Sequence, residues 1–148
     1  MRSWLFGVLL SESAERAPDA ELLAVVATIL HDLGLTDRYA AENRFEVDGA
    51  NAARSFLQGR GISTQQMQVV WDAIALHTTR SIALHKEPEV AMTHSGITAD
   101  VLGAGLDRIP RDNVEGYTNR TGSTGHMSLV RAQSSRIFCV KPKATASR

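Results

Sequence analysis

The chain has a single cysteine, Cys139, so it can close no disulfide within itself. One thiol in 148 residues fits a reducing compartment, and a cytoplasmic location is the expectation. No apolar run approaches the length of a membrane span, so no membrane association is expected. The opening M-R-S-W-L-F-G-V-L-L carries one arginine and no small-residue cleavage site follows it. It reads as a first amphipathic helix and not as a signal peptide. Net charge is also missing, with 16 basic against 16 acidic residues, but the zero hides an asymmetry. Residues 119–148 hold six Lys/Arg and no Asp or Glu, which leaves the other 118 residues with 10 basic against 16 acidic. An acidic body argues against a nucleic-acid face on it. The basic end lacks the interleaved aromatics of a single-strand-binding arm. Residues 1–110 show no two-residue alternation that would mark strands.

Helical period fills that space. Trp4–Leu10 reads as a short apolar helix, and Arg16–Asp19, with Pro18, as a turn. Leu22, Leu23, Val25, Val26, Ile29 and Leu30 make Glu21–Leu33 apolar nearly all round, which predicts a central, buried helix stopped by Gly34. Thr36–Glu46 is polar and irregular. Val47–Gln58 carries Val47, Ala50, Ala53 and Leu57 on one stripe and ends at Gly59 and Gly61. Ser63 and Gln66 form a capping box, with Ile62 able to staple to Met67. The helix they open runs through Val70, Trp71 and Ile74 to His77, and Met67, Val70, Ile74 and His77 share its core face. Thr78–Glu87 reads as a loop. Pro88 suits the first position of a last helix, with Val90, His94, Ile97 and Val101 as its stripe and Asp100 beside it. The expectation is an all-α domain, a compact helical bundle of about five helices over residues 1–117. An irregular basic tail without helical period follows over residues 118–148.

The chemistry concentrates in a few polar groups on this apolar scaffold. His31 and Asp32 are adjacent at the end of a buried helix, where two polar side chains need a reason. With five His and eight Asp, chance alone supplies about 0.3 such dipeptides. The pair gains weight from its companions. His77 lies on a core stripe, His85 is close to it in sequence, and Asp100 sits on a later helix. Imidazoles and carboxylates in this number can hold one divalent metal, and a metal so held can activate water. Asp48 reads as a helix-start carboxylate, His94 as structural or surface, His126 as part of the tail, and Trp71 and Met67 as core.

The order H-D, His, His, Asp on an all-α chain resembles the HD-domain superfamily of metal-dependent hydrolases. R-F-E-V-D-G-A at 44–50, W-D-A-I-A-L-H-T-T at 71–79, I-A-L-H-K-E-P-E-V at 82–90 and G-I-T-A-D-V-L-G at 96–103 resemble its cyanamide-hydratase-like branch. The likeness spans roughly residues 2–117. It implies a divalent metal, zinc in this branch with iron or manganese as alternatives. His31, Asp32 and Asp100 would be its ligands. Asp32, His77 and His85 would serve catalysis, the two histidines lining the site and either completing a second metal position or contacting substrate. A histidine that the family places ahead of R-S-W-L-F-G is absent here, as are the helices that continue beyond D-R-I-P-R-D. The expectation is a domain shortened at both ends.

Three functions stay open on this reading. The first is hydration of a small nitrile-like substrate by metal-activated water. The second is a phosphohydrolase acting on a nucleotide or phosphate ester, although only Arg80 and Lys86 lie near the motifs to meet a phosphate. The third is a non-catalytic remnant of the domain. A small-molecule substrate is the expected partner, and a homo-oligomer is compatible with the chain.

Overall fold

A computed structural model describes residues 2–11 and 20–114. The turn expected at Arg16–Asp19 and the tail expected over 118–148 lie outside the described residues.

Six bounded α-helices, two 3-10 turns and a further helical turn at 111–114 make up the described residues, and no strand occurs among them. The bounded elements are α1 (Arg2–Leu10), α2 (Ala20–Leu30), a 3-10 turn (Leu33–Leu35), α3 (Phe45–Leu57), α4 (Thr64–Ala75), α5 (Arg80–Ala83), α6 (Pro88–Leu102) and a second 3-10 turn (Leu106–Arg108). The all-α expectation therefore holds. Beyond the five expected helices are α5, one turn long inside the stretch read as a loop, and the helical turn at 111–114.

The start and stop signals act locally as their chemistry requires. Ser63 Oγ accepts from the Gln66 amide at 3.2 Å, and Gln66 Oε1 accepts from the Ser63 amide at 3.0 Å, closing the capping box of α4. Pro88 opens α6, where its missing N–H costs nothing, and Gly103 closes it in the left-handed region at φ 73°.

Two patches of core hold the helices together. The larger joins Leu23 and Ala27 of α2, Ala50, Ala53 and Leu57 of α3, Val70, Ala73 and Ile74 of α4, Ala83 of α5 and Val90 of α6. The smaller joins Phe6, Ala99 and Ile109. Alanine at so many facing positions lets helix axes approach closely. Trp71 lies at the rim of the larger patch, its Nε1 donating to Asn51 Oδ1 at 2.9 Å.

The helix α2 is less enclosed than its composition predicts. Leu23, Ala24, Ala27 and Thr28 are buried, but Leu22 and Ile29 are 57% and 60% exposed. Among the described residues its neighbours are α4, α6, α1 and α3, and they leave Leu22 and Ile29 uncovered. An apolar sequence on all faces does not require neighbours on all faces.

Two glycine contacts set the geometry that the site depends on. A Cβ on Gly96 would fall on the carbonyl oxygen of Ser3 and 2.8 Å from the amide nitrogen of Gly7, so α1 crosses α6 backbone against backbone. A Cβ on Gly34 would fall on the carbonyl oxygen of Phe45 and 2.8 Å from the amide nitrogen of Gly49. Gly34 therefore does not end α2 as a left-handed cap. It lies in the following 3-10 turn and allows that turn to seat on the first turns of α3.

Candidate metal centre

The helix α2 ends at Leu30, and His31 and Asp32 form the turn immediately after it. The seat of Gly34 on α3 fixes that turn, and the His31 carbonyl itself faces Gly49. Helix α4 ends in the same way. Its last residue is Ala75, and His77 follows in the turn, 4% exposed. The two histidine rings meet edge to face with centroids 5.1 Å apart. His31, Asp32 and His77 each offer one ligand atom, and these atoms lie within 4.8 Å of one another.

The hydrogen bonds decide which ring atoms face the cluster. His31 Nδ1 lies 2.7 Å from the Thr28 carbonyl, and His77 Nδ1 lies 2.6 Å from the Ile74 carbonyl. A carbonyl can only accept, so each Nδ1 carries the proton and each neutral ring keeps its lone pair on Nε2. A backbone carbonyl holding the far nitrogen is how metal-ligating histidines are oriented. His31 Nε2 is 3.2 Å from Asp32 Oδ2. Donor atoms around a tetrahedral zinc ion sit about 3.3 Å apart, so that pair needs little movement and His77 an approach of at most about 1.5 Å. Two imidazole nitrogens and a carboxylate oxygen form a donor set that fits a divalent ion.

Electrostatics separates the two histidines. Burial disfavours a charge on His31, but the hydrogen bond and charge of Asp32, the Thr28 carbonyl and the Asp100 carboxylate together raise its pKa above the ordinary 6.5. Burial, reinforced by the charge of His31, pushes His77 down to about 4. His77 is neutral at pH 7 and offers a lone pair without first losing a proton.

Asp100 has other partners. Its Oδ1 is bound by the Arg2 guanidinium and its Oδ2 by Ser3 Oγ at 2.5 Å. The α1–α6 crossing at Gly96 brings these groups together, and both ends of the ion pair are largely buried. The charge of Asp100 reaches His31, but the clustered ligand atoms are those of His31, Asp32 and His77. His85 is exposed just beyond α5 and is not part of the cluster. Of the five residues marked in the sequence, three converge.

Two residues matter more than their sequence positions indicate. His94 is buried and donates from Nδ1 to the carbonyl oxygen of His77 at 2.7 Å, tying the histidine turn to α6. Glu46, which in the sequence simply opens a helix, is 2% exposed and lies beside the cluster. Its Oε1 accepts from Thr78 Oγ1 at 2.6 Å, next to His77, and from Arg44 Nη2 at 2.7 Å. The only hint of either in the sequence was its place on an apolar stripe or at a helix start. Asp48 is a brace: its carboxylate accepts from the Ala41 amide at 2.7 Å and from Asn43 Nδ2 at 3.0 Å, pinning the loop ahead of α3.

Among the described residues no helix is long and apolar enough to cross a membrane. Compared with protein-family models, curated proteins and solved structures, the chain shows no significant match to any of them.

Proposed function

We propose that this chain is a metal-dependent hydratase of the HD-domain type, adding water to a small nitrile-like substrate, with zinc held at His31, Asp32 and His77. The observation that carries the reading is the paired orientation of the histidines. Both tie Nδ1–H to a backbone carbonyl and leave Nε2 for a ligand. His77 is buried and His31 partly so, and two rings oriented alike beside one carboxylate, each with Nε2 left to a ligand, suit a metal ion.

A divalent ion at this cluster supplies Lewis acidity, bringing the ionisation of water toward neutrality and polarising the group to be attacked. The protein's own residues divide the remaining work. His77, buried and neutral, provides a lone pair and keeps one side of the site dry. Asp32, with its side chain 51% exposed, touches both the cluster and solvent, and so is the group placed to carry a proton outward. The family resemblance makes Asp100 a further ligand. That carboxylate already accepts from Arg2 and Ser3, one donor on each oxygen. Phosphoryl chemistry is the less favoured reading, because Lys86 is already committed to Asp72 at 2.8 Å and Glu87 at 3.3 Å.

Elemental analysis of the purified protein tests the site. Zinc, iron or manganese in near-stoichiometric amount is expected in the wild type and lost in His31→Ala. A wild type without metal, or unchanged metal in the variant, overturns the reading. Urea formation from cyanamide is the expected activity. Phosphate release from nucleotides would transfer the site to phosphohydrolase chemistry, and bound metal with neither activity would make the chain a non-catalytic remnant.

A further inference from the structure

Glu46 carries a polar atom that the fold leaves unsatisfied. Oε1 is well served, by Arg44 from the residue ahead of α3 and by Thr78 from the turn after α4. Oε2 is buried and has no hydrogen-bond partner. A carboxylate oxygen buried without a donor opposes folding, and such groups are rare enough to need an explanation. Its neighbours locate it. Thr78 follows His77 in the chain, and the ring of Phe45, the residue before Glu46, meets the His77 ring edge-on at 5.6 Å. The charge of Glu46 is felt at His77. The clustered ligand atoms belong to His31, Asp32 and His77, so Glu46 stands beside that cluster as an additional group.

The two halves of this site ask for different things. The imidazoles and Asp32, with an ion, take the lone-pair end of a ligand. Glu46 Oε2 can only accept, and so takes a donor. A compact molecule with both ends close together meets both, such as an amide, a hydroxamate or an aminonitrile. We propose that Glu46 Oε2 is the hydrogen-bond acceptor for an N–H group of a small ligand held at His31, Asp32 and His77, so that the site selects ligands bearing that N–H over their N-alkylated counterparts. The proposal rests on the metal reading above and adds its specificity-determining residue.

The test compares acetohydroxamic acid with N-methylacetohydroxamic acid, binding each by calorimetry to the zinc-loaded full chain. Wild type is expected to prefer the N–H form by about tenfold or more, the worth of one hydrogen bond to a charged acceptor. In Glu46→Gln the Arg44 and Thr78 donors hold the amide oxygen, which turns the –NH2 toward the ligand as a second donor. The preference should then fall to within about twofold while zinc content stays unchanged. Glu46→Asp, which withdraws the oxygen by one methylene, should abolish the preference as well and serves if the glutamine variant does not fold. Equal binding of the two hydroxamates by wild type, or no binding of either to zinc-loaded protein, overturns the proposal. So does a preference that persists in the variants, because it would then be steric. A wild type that takes up no zinc overturns the metal reading itself, an outcome distinct from zinc bound without selectivity.

Discussion

His94 Nδ1 donates to the carbonyl oxygen of His77 across 2.7 Å, so a residue on α6 holds the backbone that presents a histidine from the end of α4. The donor cannot be replaced by water, because both residues are buried. Removing it leaves a buried carbonyl unpaired and a gap behind the histidine turn. His94→Ala is therefore expected to cost about 2–4 kcal/mol in urea unfolding. It should also weaken metal binding by about 10- to 100-fold, although His94 is not one of the clustered ligands. His94→Asn, whose amide nitrogen reaches a similar place, should recover part of both. Metal titration alongside unfolding separates the two effects.

The seat of Gly34 on α3 makes a sharper steric prediction. Any side chain there meets backbone, the Phe45 carbonyl and the Gly49 amide, and neither can swing aside. Gly34→Ala should cost about 3 kcal/mol or more and displace the His31–Asp32 turn, so stability and metal content fall together. Gly59 provides the contrast. Its φ is 77°, but nothing lies within 4 Å of a Cβ there, so Gly59→Ala should cost only about 1 kcal/mol and leave the metal untouched.

Acid should destabilise the fold through His77. Its pKa is about 4 in the folded chain against an ordinary 6.5, so between those values the unfolded chain binds the extra proton. The stability it contributes is complete above pH 6.5 and is lost as pH falls toward 4, by about 3 kcal/mol in all. His31 behaves in the opposite sense. Its raised pKa adds stability that is complete below 6.5 and is lost as pH rises through the folded value. Stability measured by urea unfolding should therefore peak near neutrality, and His77→Phe should flatten the acid side. Metal must displace the His31 proton, so affinity should decline as pH falls through that raised value.

The Arg2–Asp100 pair is buried enough for one partner alone to be costly. Arg2→Met leaves the carboxylate with Ser3 only and should destabilise the chain by about 3 kcal/mol. Asp100→Asn removes a negative charge that helps His31 hold its proton, so the His31 pKa should drop. Titration of the His31 ring resonances by NMR reads that shift directly. An unchanged His31 would mean that Asp32 and Thr28 alone set its protonation.

Much of the helical order could be read without coordinates. The Ser63–Gln66 box and Pro88 at a first helical position are local devices, each set by residues close in the chain. The short α5 was missed because R-S-I-A is a single turn flanked by polar residues, too brief for any period to show. The exposed flank of α2 was missed for a different reason. Leu22 and Ile29 are apolar whether or not a neighbour covers them, and only the packing shows that none does among the described residues.

The site divides in the same way. The sequence by itself determined an all-α scaffold and marked His31, Asp32 and His77 as polar groups out of place at the ends of apolar helices. Burying an imidazole is costly wherever it happens, and that cost is legible in a pattern. Tertiary structure alone decided which groups meet. It joined α1 to α6 through Gly96, placing Asp100 on Arg2, and left His85 in solvent. It also enclosed Glu46 beside His77 and His94 behind it. Distances between helices depend on which side chains, or which missing side chains, stand between them, and no periodicity along one helix contains that information.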